Sequence, residues 1–198
     1  METYNREKLY GRKAHLYLES NPNPNSLKFV ANFMLVPEGK SYDFPDIQSA
    51  ENAPLARELF DNFPFVERVF YMSNFITITK SQDVEWDDIK DPLKDFIRDY
   101  IESDKPLLNV DEHHDDETEV GSEVEMKIRA ILDDYVKPAV EQDGGAISFH
   151  SYHDGVVTVQ LKGSCSGCPS STFTLKAGIE NLLKRFIPEV KSVVAEGL

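Results

Sequence analysis

Cys165 and Cys168 are the chain's two cysteines, and they share the stretch "GSCSGCPSST", residues 163 to 172. Thiolates are soft ligands suited to zinc, copper(I) and iron–sulfur clusters, and a Cys-x-x-Cys pair is also the reactive unit of thiol–disulfide exchange. Structural zinc takes four protein ligands and common iron–sulfur clusters take four cysteines, so one chain supplies half of either set. Two copies meeting at this loop would supply four thiolates around a two-fold axis. A cluster shared in that way is exposed when the interface opens, which suits a carrier better than an electron-transfer protein. Two other readings stand beside it. His150 and His153 are near in sequence and make a Cys2His2 zinc site conceivable, although His150 and Tyr152 alternate with Ile147 and Phe149 and so read as solvent-side residues. A dithiol oxidoreductase is the third reading. Against it, the segment opens with a helix instead of a βαβ unit, and Pro169 follows the second cysteine instead of lying between the two.

The elements around the pair explain what would hold it. Val124, Ile128, Ile131, Leu132, Tyr135 and Val136 recur at helical spacing and predict an amphipathic helix over about 123–140. Pro138 falls near its end, and Asp143-Gly144-Gly145 supplies the stop. "AISFHSY" and "VVTVQL" alternate on either side of Asp154-Gly155 and predict a β-hairpin. The cysteine loop follows, then a Ser/Thr-capped helix with the stripe Leu175, Ile179, Leu182, Leu183 and Phe186, ended by Pro188. "VKSVVA" forms a last strand. The order is α-β-β-α-β. Cysteines between a strand and a helix start face backbone N–H groups that favour thiolate. Gly163 and Gly167 permit close backbone approach, and Lys162 and Lys176 flank the loop.

The N-terminal half also alternates. Strands are expected at 14–19, 26–33, 66–71 and 74–79, and helices at 53–61 and 86–102. "NPNPNS", residues 21 to 26, is a loop. Trp86 reads as a packing anchor for the second helix. This half contains no paired catalytic carboxylates, nucleophile elbow or phosphate-binding glycine loop. The fold class is therefore α+β: two small domains, residues 1–108 and 123–198, joined by an acidic linker over 109–122. The linker has six acidic residues and no Lys or Arg, so its charges repel and extend it. His113 and His114 lie there among Asp111, Asp115 and Asp116, and read as part of a solvated tether.

With 198 residues, 40% of them hydrophobic, the chain can form real cores. Its net charge of −14 argues against nucleic acid or an anionic membrane surface as partner. That charge is unevenly spread: residues 123–198 carry 10 acidic and 8 basic side chains. No apolar run spans a bilayer. The first twenty residues lack the apolar core of a secretory signal and carry Glu2, Glu7 and Glu19, which an acid-poor transit peptide would avoid. The expected compartment is the bacterial cytoplasm in preference to the mitochondrial matrix.

The extended pattern is more specific than the cysteine pair. "VKPAVEQDGGAISF" and "VTVQLKGSCSGCPSSTFTLKAGIENLLKRFIPEVKSV" resemble the C-terminal domain of NifU, found in Nfu-type iron–sulfur proteins. "NPNPNSLKFVAN", "PLARELF", "VERVFYMSNFITITK" and "EWDDIK" resemble the Nfu N-terminal domain. Where the family often has a second Asp after Asp-Gly-Gly, this chain has Ala146. The resemblance implies a scaffold and carrier, not an enzyme. Cys165 and Cys168 would ligate an iron–sulfur cluster, commonly [4Fe–4S] with [2Fe–2S] as the alternative, between two protomers of a homodimer. An upstream scaffold would supply the cluster, apo iron–sulfur proteins would accept it, and the N-terminal domain would serve partner recognition or modulation.

Overall fold

The computed structural model describes residues 13–103, 105–109, 121–166 and 169–196, with side chains of 169–172 outside that description. The chain divides into two compact units, Met1–His113 and His114–Leu198. The acidic stretch expected as a linker, with His113 and His114, lies outside the described residues over 110–120. At its two ends, Asn109 N–H donates to Asn52 O at 2.8 Å and Ser122 caps the helix that follows. Among the described residues no helix is long and apolar enough to cross a membrane.

Among the described residues the first unit is a five-stranded antiparallel sheet with two helices. Its strands are β1 (Leu16–Ser20), β2 (Ser26–Ala31), β3 (Ser41–Phe44), β4 (Val66–Met72) and β5 (Phe75–Lys80), in the order β1-β2-β5-β4-β3. The β1–β2 connection is built from the short amides that the sequence places there. Asn23 N–H donates to Asn21 Oδ1 at 3.1 Å, and Asn25 N–H donates to Asn23 Oδ1 at 3.0 Å. These side chains imitate a backbone turn. Leu27, Phe29, Val69, Tyr71, Ile76 and Ile78 supply one sheet face to the core. Leu55 and Leu59 of α1 (Pro54–Asn62) and Leu93 and Ile97 of α2 (Trp86–Glu102) belong to the same cluster. Pro54 opens α1, where its fixed φ suits the first turn. Trp86 Nε1 donates to Pro24 O at 2.9 Å, so the indole ties the start of α2 to the β1–β2 loop.

Among the described residues the second unit opens with α3 (Glu123–Ile131), continues through a five-residue π turn (Leu132–Val136) into α4 (Lys137–Gln142), and then forms β6 (Gly145–His153) and β7 (Val156–Gly163). Helix α5 (Pro169–Phe186) crosses over to β8 (Ser192–Glu196), which pairs parallel with β7. Asp154 and Gly155 have φ of 49° and 88°, the left-handed pair that a tight hairpin turn requires. Ile128, Leu132, Val136 and Val140 meet Ile147, Val157, Val159, Leu161, Ile179 and Leu183 in one core.

Three details depart from the periodicity. Core residues of the first helical stretch stand four apart, and on a regular α-helix of 3.6 residues per turn such a stripe drifts by about 40° per step. The wider π turn absorbs that drift. It also turns Tyr135 outward, 58% exposed, instead of into the expected core stripe. Phe186, expected in the stripe of α5, is 50% exposed and stacks on Tyr135 with ring centroids 5.7 Å apart. The third departure is a register shift between Phe149 and Ser151. One extra residue reverses the alternation of inward and outward side chains. Tyr152, expected on the solvent side, therefore pairs with Val157 and packs against the core, while His150 remains exposed.

Candidate functional site

The cysteine loop leaves the sheet at the open end of the β6–β7 hairpin, opposite its turn. Gly145 pairs with Gly163, the last residue of β7. Gly144 and Gly163 have φ of 79° and 65°, a region that favours glycine, so the chain can bend sharply on both sides of this pair. The bend brings residues 163–166 against the Asp-Gly-Gly segment. Ser164 N–H donates to Gly144 O at 3.3 Å, its hydroxyl donates to Asp143 O, and Ser166 N–H donates to Gly163 O at 3.1 Å.

Cys165 sits inside this turn and is 6% exposed. Its side chain belongs to the core cluster of the second unit, with Ile147, Leu161 and Ile179. The small neighbours make this possible. A Cβ added at Gly145 would lie 2.9 Å from Cys165 Sγ and 2.6 Å from Lys162 O, so only glycine leaves room for the sulfur. Ser164 Oγ lies 3.9 Å from Cys165 Sγ. Cys168 lies outside the described residues, and α5 begins directly after it at Pro169. The loop thus holds one of its two sulfurs under cover.

The remaining candidates are placed as follows. Lys162 is on β7, paired with Ala146, and Lys176 is on α5; both are partly buried. His150 is exposed on the bulge of β6, with Nε2 4.0 Å from Glu196 Oε2. Among the described residues no group of three or more His, Cys, Asp or Glu side chains is disposed to hold a metal. Sequence reasoning missed the parts played by Gly145, Ser164 and Ser166. The signal was present in the two adjacent glycines 144 and 145, one for a left-handed turn and the other for close approach.

Comparison with known proteins matches both units. A family model described as the scaffold protein Nfu/NifU N terminal covers residues 16–104, and one described as the NifU-like domain covers residues 128–194. The chain belongs to the Nfu/NifU scaffold family. This Nfu-family chain is 42% identical over 185 residues to the "NFU1 iron-sulfur cluster scaffold homolog, mitochondrial" of Drosophila willistoni, covering 92% of its own length and 63% of the relative's. The protein of that name in Drosophila sechellia is 41% identical, with 92% and 65% covered. The chain therefore spans less than two thirds of these relatives. Among solved structures, a NifU-like protein from Saccharomyces cerevisiae matches with a TM-score of 0.45 and 24% identity, over 56% of this chain and 92% of that one.

These relatives correct the expected compartment. They are mitochondrial by name, which overturns the bacterial cytoplasm inferred from the acidic first twenty residues.

Proposed function

We propose that this Nfu-family chain is an iron–sulfur cluster carrier acting in mitochondria. The cluster is cargo. Cys165 and Cys168 of one copy and the same pair of a second copy ligate it, [4Fe–4S] in preference to [2Fe–2S], and an apo-protein's thiolates replace them one at a time. An upstream scaffold loads the chain, no substrate is turned over, and the first unit recognises partners. The domains are taken as 1–108 and 123–198, tethered by 109–122.

The observation that carries this reading is the setting of Cys165. Its sulfur is held in a glycine- and serine-walled turn between a strand and the helix that starts one residue after Cys168, within the residues that match the NifU-like model. A chain with two thiols completes a four-thiolate set only by pairing. The burial of Cys165 means that loading and release both require the turn 163–166 to open.

Anaerobic reconstitution with iron and sulfide tests the reading. The expected product is brown, carries about four irons per pair of chains, and has the mass of a dimer. Cys165→Ser and Cys168→Ser should each abolish uptake. A colourless monomer, or uptake unchanged in both variants, would overturn it. Zinc in protein isolated without air would support the zinc-module reading instead.

A further inference from the structure

The turn that carries Cys165 contains two serines with different hydrogen bonding. Ser164 is committed, since its one hydroxyl proton goes to the carbonyl of Asp143, which can only accept. It therefore faces Cys165 Sγ, 3.9 Å away, with lone pairs. It can accept from a thiol there but has no proton left for a thiolate. Ser166 is different. It is 3% exposed, its N–H donates to Gly163 O, and its hydroxyl has no hydrogen-bond partner among the described residues.

Burying a hydroxyl without a partner lowers the folded-to-unfolded ratio by about tenfold or more. Alanine would fill the same space without that cost, so packing does not account for serine at 166. A donor reserved for a sulfur acceptor does. Ser166 directly follows Cys165 and precedes Cys168 by two residues in the sequence, so its hydroxyl belongs to the motif that carries both thiols. Thiolate and inorganic sulfide are both acceptors for an O–H donor. Such bonds to sulfur are among the terms that tune an iron–sulfur cluster and its hold on the protein.

We propose that Ser166 is a positioning residue whose hydroxyl donates to sulfur when the cysteine loop is loaded, slowing departure of the cluster at the expense of stability in the empty chain. The proposal rests on the carrier reading above and assigns to that site the group that sets its release rate.

The test uses the full chain as wild type, Ser166→Ala and Ser166→Thr. Unfolding of the cluster-free, reduced chain is followed by temperature, and cluster loss from the reconstituted chain by bleaching of its visible absorption after addition of an iron chelator. Ser166→Ala should raise the melting temperature of the empty second unit by about 4 °C. The same variant should lose its cluster about tenfold faster and shift the iron–sulfur stretching bands in the Raman spectrum. Ser166→Thr, which keeps the donor, should retain slow loss. A purely structural serine would move stability and durability in the same direction. A loaded Ser166→Ala chain that bleaches at the wild-type rate overturns the inference alone, as does an empty variant that melts lower than wild type. A wild-type chain that takes up no cluster removes the carrier reading and this inference with it.

Discussion

Gly145 and Gly178 have opposite surroundings, and the same substitution should have opposite effects at the two. At 145 a methyl group would meet a backbone oxygen at 2.6 Å and Cys165 Sγ at 2.9 Å, and backbone cannot swing aside. Gly145→Ala should destabilise the second unit by about 1–3 kcal/mol and reduce iron uptake by displacing the cysteine turn. Nothing lies within 4 Å of a Cβ at Gly178, in the interior of α5. Gly178→Ala should therefore stabilise by about 0.5–1 kcal/mol and leave uptake unchanged. Urea midpoints with parallel iron analysis check both, and equal midpoints for the two variants would refute the close approach at Gly145. At this scale the sequence made the cysteine pair legible because its spacing is chemical information. It did not reveal that Ser164 latches onto Asp143 or that Gly145 backs the sulfur, because both contacts join residues about twenty apart that only the closed hairpin brings together.

Glu180 shows how an element is held from outside itself. Its carboxylate accepts from Lys184 one helical turn on, and from the backbone N–H of Val193 in β8 at 3.0 Å. One side chain thus ties α5 to the strand it delivers. The Lys184 hydrogen bond, and after it the Val193 N–H, hold the Glu180 carboxyl below its ordinary value of 4.5. A carboxyl depressed by folding adds stability that is fully present above the unfolded value and disappears as pH falls through the folded one. Glu180→Gln should therefore melt lower than wild type at neutral pH. The two melting curves should converge as pH falls below 4.5, where the wild-type carboxyl becomes protonated and resembles the amide. A gap that persists undiminished in acid would show that the carboxylate's charge is not the tie. Most elements were readable because their apolar positions follow a single period, as in β5 or α2. Strand β3, four residues of which only Phe44 is buried, has too little pattern to announce itself. The π turn and the β6 bulge were hidden for a related reason. Each inserts one residue into a regular period, and the reason for the insertion lies in the partner surface.

For the whole molecule, pairing of two copies is the requirement that the carrier reading imposes, and the charge distribution permits it. Although the chain carries −14, residues 123–198 hold 10 acidic and 8 basic side chains, so two copies meeting there repel little. Phe173 is the most exposed large apolar side chain among the described residues, at 77%, and lies in the early part of α5, five residues after Cys168. A shared cluster would bring that end of α5 towards its counterpart. Burying a Phe side chain contributes about 1.5–3 kcal/mol, and symmetry repeats the contact in each copy. Phe173→Ser should therefore raise the dissociation constant of the loaded dimer by at least about tenfold. Phe186, roughly 20 Å along the same helix by its rise of 1.5 Å per residue, is stacked on Tyr135 and serves as the control. Phe186→Ser should leave pairing unchanged. Sedimentation of the reconstituted variants over a range of concentrations measures this, and chelation of the iron should return all of them to monomers. If Phe173→Ser pairs as tightly as wild type while still holding iron, the four thiolates alone carry the dimer. The exposed ring would then be excluded from the surface that forms around them.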